Sequence, residues 1–131
     1  MTTIEPKVRV CGFDLDGTLL EHESYPNYGK PIDGWIPELD ALRQAGVKIA
    51  IWTCRNEDEY DTIRQHLLEH GIEVDYINEN PHQPPDSTSP KVYFDWYIDD
   101  RGVPGFNGDP RGMAAQILAH KPWHKQPLLG G

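Results

Sequence analysis

The chain has 131 residues and a mass of 14.9 kDa, which suffices for one domain with its own hydrophobic core but not for two sizeable domains. Its 21 acidic against 12 basic side chains give a net charge of -9, which disfavours non-specific binding to nucleic acid because such binding depends on Lys and Arg. The composition, 37% hydrophobic and 25% charged, is typical of a globular chain, and no run approaches the roughly 18 apolar residues of a membrane span. We therefore predict a single cytoplasmic domain over residues 1–131, with a C-terminal tail from about residue 120.

The two cysteines, Cys11 and Cys54, each stand in an apolar run. Their number and spacing fit neither a disulfide framework nor a zinc site. Cysteine is among the residue types most often found buried in proteins. We therefore predict two buried free thiols.

Apolar runs and amphipathic stretches alternate along the chain. Short β-branched runs predict buried strands, and apolar residues at i, i+4 and i+7 that end at a glycine predict helices. Strands that alternate with helices predict an α/β fold of three layers, in which helices flank a Rossmann-like parallel sheet. The predicted strands cover residues 8–13, 47–53, 73–77 and 92–98, the predicted helices cover about 34–45, 56–70 and 110–119, and residues 78–90 form a proline-rich loop.

Acidic pairs follow two of the predicted strands. Ligands of such sheets bind at the carboxyl ends of the strands. Asp14 and Asp16 end the first strand, and Asp99 and Asp100 end the fourth. Four carboxylates in one cleft would repel one another or raise their pKa values unless a cation lies among them. Because these are hard oxygen ligands with no His or Cys nearby, the pattern predicts Mg²⁺ rather than zinc.

Three further side chains suit a phosphoryl group. Thr53 and Arg55 follow the second predicted strand, and Lys91 precedes the fourth. A hydroxyl, a guanidinium and an ammonium group can together hold phosphoryl oxygens and stabilise their charge. The whole set of polar residues is therefore typical of phosphoryl transfer.

With these motifs the chain resembles the haloacid dehalogenase superfamily of phosphotransferases. Its segment CGFDLDGTLL matches the first motif of that family, an apolar strand followed by Asp-x-Asp-Gly-Thr. The later motifs appear in the family's order, with Thr53 at the end of VKIAIWT, Lys91 in SPKVYFDWY and the acidic pair in YIDDRG. Two residues depart from the pattern: Gly12 stands where the family usually has a bulkier apolar residue, and Arg9 is a charge within a strand.

The resemblance implies a role for each acidic residue. Asp14 would be the nucleophile that forms an aspartyl-phosphate, and Asp16 would be the general acid and then the general base. Mg²⁺ would be held by Asp14 and by the backbone carbonyl of Asp16. An acidic residue of the last motif would complete the metal site, and both Asp99 and Asp100 match that motif.

The resemblance also implies roles for the basic and hydroxyl residues. Thr53 and Lys91 would bind the phosphoryl oxygens. Arg55 matches a Thr-x-Arg variant that some members carry, and it would add a bidentate phosphate contact.

Family members often carry a cap domain after the first or the third strand. Here both places, residues 20–31 and 78–90, hold only roughly a dozen residues, which is too few for a domain. The resemblance therefore implies a compact, capless member with an open site. A neighbouring subunit, or the segment that contains Tyr25, Tyr28 and Lys30, could cover that site.

These expectations describe a Mg²⁺-dependent phosphomonoester hydrolase. The net charge of -9 favours a small phosphorylated metabolite or nucleotide as substrate over a nucleic-acid 3'-phosphate, so nucleic acid enters only as a substrate end. A receiver-like phospho-signalling or phosphate-binding module is the non-enzyme alternative. The motif order argues against it, because receivers carry their acidic pair early and the phosphorylated Asp in the middle, whereas here Asp-x-Asp comes first and Asp-Asp comes last. Partner subunits often complete capless sites in this family, so an oligomer is compatible with the sequence, which shows no interface signature.

Overall fold

A computed structural model of the protein describes residues 7–83 and 90–122. The middle of the predicted proline-rich loop and most of the predicted tail lie outside the described residues. No helix in the described ranges has the length and apolar character that crossing a membrane requires. The strands are β1 (Arg9–Asp14), β2 (Val47–Trp52), β3 (Tyr76–Ile77) and β4 (Trp96–Ile98), and the helices are α1 (Trp35–Gln44), α2 (Tyr60–Glu69, after a 3-10 turn at Glu57–Glu59) and α3 (Met113–Ala119).

The four strands form one sheet in the order β3-β2-β1-β4, and every neighbouring pair is parallel. In this register Asp14 of β1 lies opposite Trp52 of β2, and Phe13 lies opposite Ile98 of β4. The carboxyl ends of the strands therefore meet at one edge of the sheet, with β1 in its interior. The predicted α/β, Rossmann-like class is confirmed.

The larger hydrophobic core lies between the sheet and the helices. Alternate residues of a strand point to opposite faces, and Cys11 and Phe13 of β1 point to the helical face. There Trp35 of α1 packs edge-to-face on Phe13, with ring centroids 5.3 Å apart. Each fully buried apolar side chain of this kind contributes roughly 2 kcal/mol to folding. The cluster joins all three described helices to the sheet, through Leu39 and Leu42 of α1, Ile63 and Leu67 of α2, and Ala114 and Ile117 of α3.

The opposite face of the sheet is covered by the chain that leads into β4. Val10 and Ala50 pack there against the ring of Phe94. A Cβ atom on Gly12 would lie 2.4 Å from that ring, so only glycine fits at this position while Phe94 stays in place. The close approach of the ring accounts for the glycine in the first motif. In the described part of the chain, this loop segment forms the third layer.

Two carboxylates shorten the predicted strands. Asp95 accepts the N–H of Val10 through Oδ2 at 2.7 Å, and Asp75 accepts the N–H of Ile49 through Oδ2 at 2.8 Å. In both places a side chain engages an N–H that a backbone carbonyl would otherwise pair in the sheet. β4 and β3 therefore begin only at the next residue, several positions after their predicted starts.

The two cysteines differ from each other in burial. Cys11 is buried, as predicted, whereas Cys54 is exposed, so the prediction of a buried thiol is wrong for Cys54. β2 ends at Trp52, and Cys54 therefore lies in the turn beyond the sheet rather than inside it.

The charge within the first strand has a partner at the carboxyl end of α1. Arg9 Nη2 donates to the carbonyl oxygen of Ala45, the residue that follows α1, at 2.8 Å. A cation at the carboxyl end of a helix stabilises the unpaired carbonyl groups there. Arg9 thus joins the amino end of β1 to the end of the helix.

Candidate active site

The predicted acidic and hydroxyl residues lie along the carboxyl edge of the sheet. Asp14 is the last residue of β1, and Thr53 comes directly after β2. Asp99 comes directly after β4, which pairs with β1 on the side away from β2. The strand order therefore places the motifs on either side of Asp14.

Asp14 is half-buried, and the pKa of its carboxyl group is raised above the ordinary value. Its Oδ2 accepts a hydrogen bond from Thr18 Oγ1 at 3.2 Å, and Thr18 is fully buried. Partial burial raises the pKa of Asp14 to about 6, against an ordinary value of 3.8. The hydrogen bond from Thr18 opposes this rise, and three nearby carboxylates add to it, those of Asp100, Asp99 and Asp16.

The two acidic residues of the last motif point to different partners. A Cβ atom on Gly17, whose φ is +89°, would lie 2.7 Å from Oδ2 of Asp100. Oδ1 of Asp99 instead accepts the N–H groups of Arg101 at 2.9 Å and Gly102 at 2.5 Å. Asp100 therefore lies against the loop that follows β1, while Asp99 engages its own turn.

Asp16 is bound by Arg55 through both carboxylate oxygens. Arg55 Nε donates to Oδ2 at 2.9 Å, and Nη2 donates to Oδ1 at 3.0 Å. The hydrogen bonds to Asp16 raise the pKa of the guanidinium, whose side chain is 5% exposed. The structure thus places Arg55 beside the proposed acid, and its predicted phosphate contact stays a prediction.

Arg55 also binds the segment formed by residues 25–29, which we call the 25–29 segment. Nη1 donates to the carbonyl of Pro26 at 3.2 Å, and Nη2 donates to the carbonyl of Asn27 at 2.7 Å. The guanidinium carbon lies 4.0 Å from the ring centroid of Tyr28, which is a cation–π contact. One side chain therefore links Asp16 to the 25–29 segment.

Glu59, in the turn before α2, also binds the 25–29 segment. Its carboxylate accepts hydrogen bonds from the hydroxyls of Tyr25 at 3.3 Å and Tyr28 at 3.2 Å, and from Arg55 Nη1 at 3.3 Å. It also accepts the N–H of Asn56 at 3.3 Å, as in a capping box. An asparagine followed three residues later by a glutamate, as at Asn56 and Glu59, predicts this backbone contact, but no sequence signal marks the tyrosine partners of Glu59.

Thr53 is held by Asn78, a residue that no motif marks. The Asn78 side-chain amide accepts the N–H of Thr53 and donates to the Thr53 carbonyl, each at 2.8 Å. It also donates to the hydroxyl of Tyr60 at 2.8 Å. Asn78 has a φ of +53°, and asparagine adopts this left-handed conformation more readily than most residues. The only available sequence signal is an asparagine directly after a predicted strand.

Lys91 lies exposed where the chain approaches β4. Its Nζ is 5.7 Å from the ring centroid of Tyr97. Tyr97 pairs with Gly12 in the sheet, so Lys91 lies on the side of the sheet that Phe94 covers. Its predicted contact with a phosphoryl group stays a prediction.

Comparison with known proteins gives one partial relative and one similar structure. Over 67 residues, 51% of its length, the chain is 37% identical to a glucosyl-3-phosphoglycerate/mannosyl-3-phosphoglycerate phosphatase from Persephonella marina. The chain spans only 22% of the length of that relative. A solved structure of a conserved protein from Bacteroides thetaiotaomicron is 27% identical, with a TM-score of 0.72, and the match covers 88% of this chain and 93% of that one. No family model matches the chain.

The partial relative is named as a phosphatase, and the similar structure shares the fold. The resemblance to the haloacid dehalogenase superfamily is confirmed. The loop after β1 and the ends of β2 and β4 form the candidate active site.

The metal that a haloacid dehalogenase-type site implies would need backbone as well as side-chain ligands. Within residues 7–83 and 90–122, no three His, Cys, Asp or Glu side chains are grouped so that they could hold a metal ion alone. The implied donor set does not require such a group, because it combines Asp14 and one acid of the last motif with the carbonyl of Asp16. Two of the carboxylates that add to the raised pKa of Asp14, those of Asp100 and Asp99, belong to the last motif, which would supply one donor of this set.

Proposed function

We propose that the protein is a Mg²⁺-dependent phosphomonoester hydrolase that forms an aspartyl-phosphate on Asp14. The Asp14 carboxyl carries this proposal: it ends an interior strand, it is half-buried, and neighbouring carboxylates add to its raised pKa of about 6. A carboxylate in such surroundings is stabilised by a cation, and perturbed pKa values of this kind cluster at functional sites. The partial match to a phosphatase supports the same reaction class.

The residues around Asp14 fit a magnesium ion. Mg²⁺ prefers oxygen ligands, usually takes one or two carboxylates, and keeps positions for water and substrate phosphate. Asp14, the Asp16 carbonyl and Asp100 would hold it. We choose Asp100 because it faces the loop after β1, whereas Asp99 accepts two N–H groups of its own turn. When bound, Mg²⁺ would orient the phosphoryl group and neutralise part of its charge.

In the first half-reaction Asp14 attacks the phosphorus atom. Thr18 engages Oδ2, so we assign Oδ1 as the attacking oxygen. The bond from Oδ1 to phosphorus forms while the bond from phosphorus to the leaving oxygen breaks. Asp16 in its acid form gives its proton to that oxygen, and the alcohol product departs.

In the second half-reaction water hydrolyses the aspartyl-phosphate. Asp16, now a carboxylate, takes a proton from the water molecule, whose oxygen attacks phosphorus. The bond to Asp14 Oδ1 breaks and inorganic phosphate leaves. Thr53 and Lys91 would hold the phosphoryl oxygens in both steps, and the amide of Asn78 fixes the backbone of Thr53.

We propose a small phosphorylated metabolite or nucleotide as the substrate. The partial relative is named as a phosphatase of glycosylated 3-phosphoglycerates, which are small phosphorylated compounds. The net charge of -9 disfavours long polyanions. A 3'-phosphorylated nucleic-acid end is the second substrate class. Residues 20–31 and 78–90 are too few to form a cap domain, and a site without a cap would admit the end of a long chain.

The deciding experiment measures phosphate release from 4-nitrophenyl phosphate, sugar phosphates, nucleotides and 3'-phosphorylated oligonucleotides, with Mg²⁺ and with EDTA. We expect turnover with Mg²⁺, a loss of at least about 10³-fold in kcat for Asp14→Asn because the nucleophile is removed, and no loss for Asp40→Asn, an exposed aspartate on α1. The ranking of the panel then identifies the substrate class.

Two outcomes would contradict the proposal. Equal activity of wild type and Asp14→Asn would remove the aspartyl-phosphate from the mechanism. A single stoichiometric phosphorylation without turnover would instead favour the receiver-like alternative.

A further inference from the structure

The guanidinium of Arg55 is fully engaged within the protein. An arginine carries five N–H donors, and here five hydrogen bonds account for them. Two go to the carboxylate of Asp16, two go to the carbonyls of Pro26 and Asn27, and one goes to Glu59. The ring of Tyr28 covers one face of the group at 4.0 Å.

Such an arginine is poorly placed to bind a substrate phosphate. Only 5% of its side chain is exposed, so a phosphoryl oxygen would have to displace one of the internal acceptors. Displacement would leave a carbonyl or carboxylate in a partly buried place without its donor, which is unfavourable. The contacts that Arg55 makes are therefore the ones it keeps when substrate binds.

We propose that Arg55 is a positioning residue, which fixes Asp16 in place and locks the 25–29 segment beside it, and that it is not a ligand of the phosphoryl group. This inference rests on the proposed function, because Asp16 is assigned there as the proton donor and acceptor. The fork of Nε and Nη2 holds both oxygens of Asp16, so it fixes the rotation of the carboxyl group as well as its distance. A lysine at this position could supply the charge but not the fork.

The same bonds couple Asp16 to the 25–29 segment. Pro26 and Asn27 contribute backbone carbonyls, and Tyr25 and Tyr28 bind Glu59, which also accepts from Arg55. Loss of the guanidinium therefore releases two things at once, the carboxyl group of Asp16 and the backbone of the segment.

The inference is tested by a double-mutant cycle of Arg55→Met and Asp16→Asn, with 4-nitrophenyl phosphate as substrate. Its good leaving group needs little proton transfer in the first half-reaction, so the loss of kcat in Asp16→Asn reports chiefly the second half-reaction, in which Asp16 is the base. If Arg55 acts through Asp16, Arg55→Met lowers kcat by about 10–100-fold in the wild-type background but by less than about threefold in Asp16→Asn. The inhibition constant of inorganic phosphate should stay within about twofold of wild type, because no phosphate contact is lost.

A second readout does not depend on activity. Hydrogen exchange of the backbone amides in the 25–29 segment should be faster in Arg55→Met than in wild type, because two carbonyl anchors are lost. Arg43→Met is the matched control: Arg43 pairs with Asp75 at 3.3 Å before β3, at the opposite edge of the sheet from the site. It should change neither the exchange of the segment nor the phosphate inhibition constant.

Arg55→Lys covers the case in which the methionine variant fails to fold. Because it keeps the charge, we expect a smaller loss of kcat in the wild-type background than for Arg55→Met, and again little loss in the Asp16→Asn background. The inference is overturned if either variant weakens phosphate inhibition by about tenfold or more, equally in both backgrounds, because that result assigns Arg55 to the phosphoryl group. Wild-type protein that releases no phosphate contradicts the proposed function itself, whereas wild-type turnover with that loss of phosphate affinity contradicts only the role of Arg55.

Discussion

The protonation of Asp14 links the candidate site to the stability of the fold. Its pKa of about 6 lies above the ordinary value of 3.8, chiefly through partial burial. Between these two pH values the folded chain binds this proton more tightly than the unfolded chain does. The associated stabilisation is complete below about pH 4 and is lost as the pH rises through about 6. Above that pH the folded protein holds a half-buried negative charge near other carboxylates.

Removal of that charge should stabilise the metal-free protein. At about pH 7.5 in EDTA, Asp14→Asn is expected to raise the free energy of unfolding by about 1–2 kcal/mol, because the nominal value of about 1.4 kcal/mol per pKa unit is roughly halved at a partly exposed site. At about pH 4 the two proteins should be nearly equal in stability. Urea unfolding at both pH values measures the difference, with Asp40→Asn as the control for a surface charge. A variant less stable than wild type at about pH 7.5 would contradict this account.

The close contact between β1 and the segment before β4 depends on one glycine. A Cβ atom on Gly12 would lie 2.4 Å from Cδ2 of Phe94, far inside van der Waals contact. Gly12→Ala should therefore lower the free energy of unfolding by about 1–3 kcal/mol through overpacking. Urea unfolding of Gly12→Ala, Phe94→Leu and the double variant measures the effect. In the Phe94→Leu background, Gly12→Ala should lower the free energy of unfolding by clearly less than in wild type. An equal loss in both backgrounds would show that the Phe94 ring is not the cause.

The regular elements could be predicted where local sequence decides them. α1 and α2 have apolar residues at helical spacing, and each helix is followed by a glycine with positive φ, Gly46 and Gly71. β3 and β4 could not be bounded from local sequence, since Asp75 and Asp95 engage N–H groups of other strands. The start of a strand is then set by a distant partner, which periodicity does not report.

The part of the site that lies at strand ends could be predicted from the sequence, whereas the part that lies on loops could not. Asp14 ends β1, and Thr53 and Asp99 directly follow β2 and β4, so the parallel order of the sheet is enough to bring them to one edge. Asn78 and the tyrosine contacts of Glu59 depend on how loops return to that edge. Hydrogen bonds between loops far apart in the chain leave no periodic signal in the sequence.

At the scale of the whole molecule, the net charge of -9 and the acidic edge of the sheet should repel long polyanions more than small ones. Raising NaCl from about 20 mM to about 300 mM shortens the Debye length from about 20 Å to about 6 Å and screens this repulsion. At constant Mg²⁺, kcat/KM for a 3'-phosphorylated oligonucleotide should therefore rise about 3–10-fold more than kcat/KM for 4-nitrophenyl phosphate. Steady-state rates across the salt series measure both values. A fall of kcat/KM for the oligonucleotide with salt would contradict the preference for small substrates, because it would mean that Lys and Arg attract its backbone.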